Sequence, residues 1–285
     1  MSATLINAAY LVASALFIFG LKGLTHPRTA VRGNLYGALG MLLAVIATLV
    51  NSKILEFELI LVGLIVGGAI GGLFAWKIQM TAMPQLVALF NGFGGAASVL
   101  VAGAALVESI STGAAITTQV AIATAASGVI GAITFWGSLV AFTKLQELVS
   151  GAPLVFPGRH VLNVLLTATG IATAVLLVME PGNSDWFWIM AAVASVLGIL
   201  LVTPIGGADM PVVIALLNSC SGLAAASTGF VLDNNVLIIA GSLVGASGLI
   251  LTQIMCWAMN RSISNVFFAA VGISSDRAPV ADIYA

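Results

Sequence analysis

Two asparagines, Asn91 and Asn218, stand in the middle of otherwise apolar stretches, and those stretches are copies of one another. MPQLVALFNGFGGAAS at 83–98 and MPVVIALLNSCSGLAAA at 210–226 align at a shift of 127. They share Met-Pro, Ala88/Ala215, Leu89/Leu216, the asparagines, Gly95/Gly222 and an alanine pair. An amide side chain donates and accepts hydrogen bonds but does not titrate near neutral pH. In hydrocarbon it must find partners or water, since unsatisfied polar groups there cost on the order of several kcal/mol. Two copies at matched depth point to a shared polar site.

Small and polar residues continue from each asparagine at helical spacing: Asn91, Gly94, Gly95 and Ser98 in one copy, Asn218, Ser221, Gly222 and Ala225 in the other. Downstream, Ser127, Gly131, Thr134 and Ser138 share one helix face. Gly241, Gly245, Gly248 and Thr252 share another, with Ser242 and Ser247 beside them. Four helices could thus surround one narrow polar passage. Close packing by small residues and interhelical glue by hydroxyls is the simpler account of the glycines, serines and threonines. Gly63, Gly67 and Gly71, spaced by four, read as packing only.

Asp209 precedes the second Met-Pro, where the first copy has Ala82. An N-cap explains a carboxylate at that point; its presence in only one copy suits proton guidance or contact with a partner. Arg261 follows the last apolar run, as a membrane exit or a contact residue.

The elements that carry these residues follow from composition. Apolar residues make up 60% of the 285 and charged ones 7%, against about 25% charged in soluble domains. Nine runs are long enough to cross a bilayer as helices. They lie near 4–21, 34–50, 57–76, 84–107, 117–143, 160–179, 186–203, 211–232 and 235–259. The chain reads as an all-α polytopic membrane protein, with a retained first helix. Cys220 and Cys256 lack metal-ligand spacing and read as packing residues; no metal is expected. With the bilayer as surroundings, no nucleic-acid partner is expected.

Loop charges alternate. Lys22, Arg28, Arg32, Lys77, Lys144, Arg159, Arg261 and Arg277, eight of the nine basic residues, fall on one side; Lys53 with Glu56, Glu58, Glu108, Glu180, Asp185 and Asp233 falls on the other. The positive-inside rule makes the basic side cytoplasmic, with the N-terminus outside and the C-terminus inside. Pro27 and Gly40 match Pro157 and Gly170 at a shift of 130, and Gly128 and Gly131 match Gly245 and Gly248 at 117. Spans two to five therefore repeat as spans six to nine. An even number of helices per unit makes the repeat parallel, an arrangement that places transporter sites at mid-depth. Asn91 lies seven residues past Pro84, about 10 Å along a helix, and Asn218 holds the same place after Pro211. No Asp, Glu, Lys, Arg or His lies deep in a span. His26 and His160 sit at the border, where a solvated histidine is expected. Alone, the chain is a poor proton pump.

IGGADMPVVIALLNSCSGLAAASTGF and MCWAMNRS, with AAYLVASALFIFGLKGL and MTAMPQLVALFNGFGGAASVLVAG, resemble the membrane portion of the beta subunit of proton-translocating NAD(P) transhydrogenase over nearly the whole chain. The resemblance implies a bacterial inner-membrane complex that couples hydride transfer between NADH and NADP⁺ to inward proton translocation. It implies that Asp209, Asn218 and Arg261 serve proton conduction or coupling to a cytoplasmic domain, and that Gly245, Ser247 and Gly248 line the passage. Such proteins usually carry a histidine at the place of Asn91, so either this chain uses a different relay or a helix of an alpha-type partner subunit supplies the titrating group; the second fits the lack of deep ionisable groups. NAD(H) and NADP(H) are expected on partner domains, leaving this chain without cofactor and catalytically inactive by itself. Residues 1–262 form the expected membrane domain, and 263–285 a tail or the start of a linker to an NADP(H)-binding domain; a homodimer of the complex is expected. The repeat alone is equally compatible with a self-sufficient transporter or channel for a small polar solute.

Overall fold

The structure is a computed structural model that describes residues 3–51, 57–260, 262 and 266. Among them are nine helices long and apolar enough to span a membrane: α1 (Ala3–Leu24), α2 (Pro27–Asn51), α3 (Phe57–Lys77), α4 (Met83–Thr112), α5 (Thr118–Leu145), α6 (Arg159–Met179), α7 (Asp185–Val202), α8 (Met210–Val231) and α9 (Asn235–Ala258). The protein is thus a polytopic helical membrane protein, with the expected element order.

Helix ends follow local chemistry and explain where the expected boundaries moved. α2 starts at Pro27, seven residues earlier than hydropathy suggests. Proline suits the first helical turn because its missing N–H has no partner to lose there. Arg28 and Arg32, expected in a loop, therefore lie in the first turns of α2. α4 runs through Glu108 and ends only where Gly113 takes φ 66°, a left-handed cap that suits glycine. α5 and α9 open on side-chain caps: Thr117 accepts from the Val120 N–H, and Asn234 from that of Leu237.

α5 is the hub. It packs along α4, α7 and α8, and its inward face is built of small residues such as Ala121, Ser127, Ala132, Thr134 and Ala141. Small side chains let membrane helices approach closely, and dispersion and interhelical hydrogen bonds then hold them. Two apolar clusters fill the ends of the bundle. One joins Ala141, Val202, Ile205, Met210 and Val213 at the end bearing Lys77 and Lys144, hereafter the basic end. The other gathers Leu106, Leu177, Phe187 and Met190 at the opposite end.

The α1–α2 hairpin meets this body chiefly through α1 against α9. α3 stands apart, with no buried residue. A Cβ at Gly63 or Gly67 would meet nothing within 4 Å, and one at Gly71 only the Phe90 ring at 4.0 Å. Among the described residues, the expected packing role of that glycine stripe is therefore not met. Trp76 and Trp257 are exposed near the basic end, the level at which indole rings favour a membrane–water boundary.

Candidate functional site

The two Met-Pro helix starts are built alike. A 3-10 turn, Met80–Ala82 before α4 and Gly207–Asp209 before α8, enters each helix from an extended residue, Gln79 or Gly206, both with ψ 152°. The prolines sit in the first turn of each helix. Equal starts carry Asn91 and Asn218 to the same distance along their helices.

Asn91 is buried. Its Nδ2 donates to Ser138 Oγ on α5 at 2.9 Å, and Ser221 Oγ on α8 donates to the Asn91 backbone carbonyl at 3.4 Å. Among the described residues its buried Oδ1 has no hydrogen-bond partner. Asn218 is half-buried and lines, with Asn91, Ser221 and Gly222, a cleft of about 460 Å³. The other walls come from α1, α2 and α9, among them Phe17, Met41 and Val244. A second cleft of about 300 Å³ shares Phe17, Met41, Leu237 and Ala240 and reaches Thr48 and Asn234. Both asparagines thus line one furrow, whose walls apart from them and Ser221 are hydrocarbon.

The hydroxyls of α5 occupy a different place. Ser127, Thr134 and Ser138 are all buried between α4 and α8. Ser127 Oγ lies 3.1 Å from the Ser98 carbonyl and 2.7 Å from Thr228 Oγ1, which lies 3.0 Å from the Ala224 carbonyl. Three contacts with only two hydroxyl protons cannot all be bonds at once, so this pair has alternative proton arrangements. Thr134 and Thr252 bond back to carbonyls of their own helices, Ile130 and Gly248.

α9 packs on α8 and α1, so it closes the cleft rather than the α4–α5–α8 seam. The four-helix passage expected from sequence is therefore two polar regions, with Asn91 reaching both: Nδ2 to the seam, and the residue itself to the cleft. Gly245 and Gly248 are contact points: added Cβ atoms would lie 2.9 Å from Leu223 Cδ2 and from Ser219 Cα. Ser219 Oγ also donates to the Gly245 carbonyl. Ser247 is exposed, on the side of α9 away from α8, with its hydroxyl on the Val244 carbonyl.

Asp209 occupies the N-cap position of α8, but its carboxylate makes no capping hydrogen bond; the residue is 9% exposed. Arg261, and with it most of the tail 263–285, lies outside the described residues. His26 and His160 are exposed, as expected at a border. Lys144 and Arg159, expected in solvated loops, are 3% and 4% exposed. Arg159 Nε donates to His160 Nε2 at 3.3 Å, and Lys144 Nζ donates to main-chain carbonyls at the α7–α8 junction.

Ser219, Thr228 and Lys144 escaped the sequence reading. Thr228 lies seven residues, two helical turns, beyond Ser221, so extending the polar face of α8 finds it. Nothing local marks Lys144, whose acceptors are about sixty residues away. What the site offers chemically is a neutral, mid-helix amide pair: one oxygen without a donor, one nitrogen on a buried hydroxyl.

Comparison with known proteins adds the family. The sequence model described as NAD(P) transhydrogenase beta subunit matches residues 6–282. NAD(P) transhydrogenase subunit beta of Rhodospirillum rubrum is 46% identical over 276 residues, covering 95% of this chain and 59% of the relative. Its counterpart from a named strain of that organism matches to the same extent. The chain thus spans about three-fifths of the length of these relatives.

Proposed function

The chain belongs to the NAD(P) transhydrogenase beta-subunit family, and from that premise we propose that it is the proton-conducting membrane component of a complex coupling hydride transfer between NADH and NADP⁺ to inward proton translocation. The observation that carries the reading is Asn91 Oδ1, buried without a donor among the described residues, beside the cleft that Asn218 shares.

An unpaired buried carbonyl oxygen costs roughly 1–3 kcal/mol. A hydrogen-bond donor delivered into the cleft removes that cost. Asparagine does not itself carry the proton, because its amide neither gains nor loses one near neutral pH. It can orient a group that does. A transmembrane helix of an alpha-type subunit, with a histidine at mid-depth, has the required chemistry: one ring nitrogen donates to Asn91 Oδ1 while the other exchanges a proton. Asn218 and Ser221 then hold water or the imidazole on the far wall.

In this reading the basic end faces the cytoplasm of a bacterium, across its inner membrane. Asp209 and Arg261 there meet the NADP(H)-binding domain, and both nucleotides stay on domains outside this chain. Two copies of the complex form the working unit.

Membrane vesicles holding the full-length complex test it. A pH dye follows nucleotide-driven proton movement, and a nicotinamide analogue follows hydride transfer in the same sample. Coupled signals that Asn218→Leu abolishes, with the amount of complex unchanged, support the reading. No nucleotide-dependent proton signal in wild type refutes it and leaves the repeat to be read as a transporter's.

A further inference from the structure

The proposed function leaves the basic end of α5 unexplained. Lys144 is 3% exposed, although an ammonium one residue from a helix end would ordinarily reach for water. A buried cation is strongly disfavoured unless hydrogen bonds replace its hydration. Here Nζ donates to the Thr203 carbonyl and, at 2.8 Å, to that of Ile205. Thr203 caps the end of α7, where helix carbonyls point outward unpaired and favour a cation. The seven residues from Thr203 to Asp209 are the whole connection from α7 to α8. Lys144 therefore grips the segment that ends in the Asp209 turn, four residues before it.

The same turn of α5 holds the other Met-Pro start. Gln85, immediately after Pro84, donates from Nε2 to the Leu145 carbonyl at 3.0 Å. The residue matching Gln85 in the second copy is Val212, fully buried in apolar contacts. The two copies are thus tied to α5 by different chemistry: an amide from within α4, and an ammonium from α5 onto the linker before α8. Six residues along α5 from Lys144, about 9 Å, Ser138 accepts the Asn91 amide. A single helix therefore joins the Asp209 turn, the start of α4 and the buried partner of Asn91.

We propose that the Gln85–Leu145 and Lys144–Thr203/Ile205 contacts form a latch through which the Asp209 turn and the Asn91 site move together. Lys144 is its positioning residue. The inference rests on the proposed function for what the coupling serves, while the latch itself is a statement about α8 placement. A load on the Asp209 side displaces the α7–α8 linker. Because the linker is bonded to α5, Ser138 shifts with it, and Asn91 Nδ2 keeps or loses its acceptor. Such a link has value only if two arrangements differ in free energy and both ends bias them.

The test uses the full-length complex in vesicles with Lys144→Met, Lys144→Arg and Gln85→Leu, normalised to assembled complex. Two quantities are read: protons moved per hydride transferred, and the labelling rate of the half-buried Cys220 on α8 by a membrane-permeant maleimide. Lys144→Met is expected to lower the proton-to-hydride ratio on the order of tenfold and to change Cys220 labelling. Lys144→Arg, which keeps donors for both carbonyls, is expected to restore most of each. Gln85→Leu is expected to lower the ratio less. If Lys144→Met does not assemble, Lys144→Gln, with one neutral donor group, carries the same comparison.

An unchanged ratio in a variant whose Cys220 labelling has changed overturns the coupling role; both unchanged overturns the latch entirely. A ratio that falls equally in Lys144→Arg overturns the hydrogen-bond account. If wild type itself moves no protons, the proposed function fails on its own, and the labelling still decides whether Lys144 positions α8.

Discussion

In α4 the asparagine of the Met-Pro segment is buried against Ser138 of the next helix; in α8 its counterpart is half-exposed on a cleft to which the next helix contributes only Leu237, Ala240, Gly241 and Val244. The two segments enter their helices through matching 3-10 turns, so the difference comes from the neighbours. α4 crosses α5 at Gly95 and Gly131, where a Cβ on either would sit 2.7 Å from the other's carbonyl oxygen. α8 crosses α9 at Gly222, where a Cβ would lie 2.5 Å from Gly245 N and 2.8 Å from Gly241 O. Gly95 and Gly222 are matched residues, but Gly131 matches Gly248 rather than Gly245, so the second crossing is set about one turn away. The two Met-Pro segments hold their asparagines equally far along the helix and differ in the register of the crossing. That change puts one amide inside the bundle and the other at its opening.

The largest effect expected from breaking this comparison is at the opening. Asn218→Leu should cut nucleotide-driven proton movement on the order of a hundredfold, about 3 kcal/mol of barrier, with little loss of assembled protein. Dye-monitored vesicles and a detergent-extracted yield measure both. Collapse of the yield would make Asn218 structural glue instead.

Next come the crossings themselves. Gly222→Val must push apart two backbones, since the atoms facing it are main chain. Overpacking of this kind costs typically about 1–3 kcal/mol, and a thermal shift of the purified complex should fall accordingly. Gly95→Val should behave alike. A tolerated Gly222→Val beside an intolerant Gly95→Val would mean that the α8–α9 crossing is loose and only the α4–α5 crossing rigid.

Ser138→Ala removes the one hydrogen-bond acceptor that Asn91 Nδ2 has among the described residues, leaving a buried donor at a cost of roughly 1–3 kcal/mol. Ser221→Ala removes a 3.4 Å contact to a carbonyl that is also within a helix, and should cost less than about 1 kcal/mol. Measuring proton movement and unfolding in both ranks the seam against the cleft. Equal effects would remove the distinction drawn between them.

How far these regions were legible varies with the kind of signal. Nine spans could be counted because each must bury about twenty apolar residues in hydrocarbon, and that requirement is written along the chain. Asn91 and Asn218 were legible for a related reason: a polar amide in such a run is conspicuous, and its repetition fixes its depth. What could not be read is which way each helix turns. Ser127 on α5 and Thr252 on α9 each belong to a run of small and polar residues at helical spacing, but one bonds across three helices and the other folds back on its own. Ser247 sits two residues from buried Gly245 and is exposed, because 200° of helix separates them. Lys144 looked like any loop cation; only the carbonyls of the α7–α8 linker, distant in sequence, make it interior. Helix rotation and long-range acceptors are properties of the packed bundle.

The smallest expected effect concerns α3, whose Gly63 and Gly67 face nothing among the described residues. Gly67→Leu should leave the stability of the isolated membrane domain within about ±0.5 kcal/mol, as for surface substitutions elsewhere. The reasoning is geometric: a Cβ at Gly67 has no heavy atom within 4 Å, and the longer side chain replaces one lipid contact by another. At Gly95 or Gly222 the same change would strike backbone. If Gly67→Leu proves harmless in the chain alone but lowers the yield of full-length complex, the stripe packs against another chain there. If it is harmless in both, the spacing of Gly63, Gly67 and Gly71 has no packing role, and small residues at every fourth position are no guide to contact in this bundle.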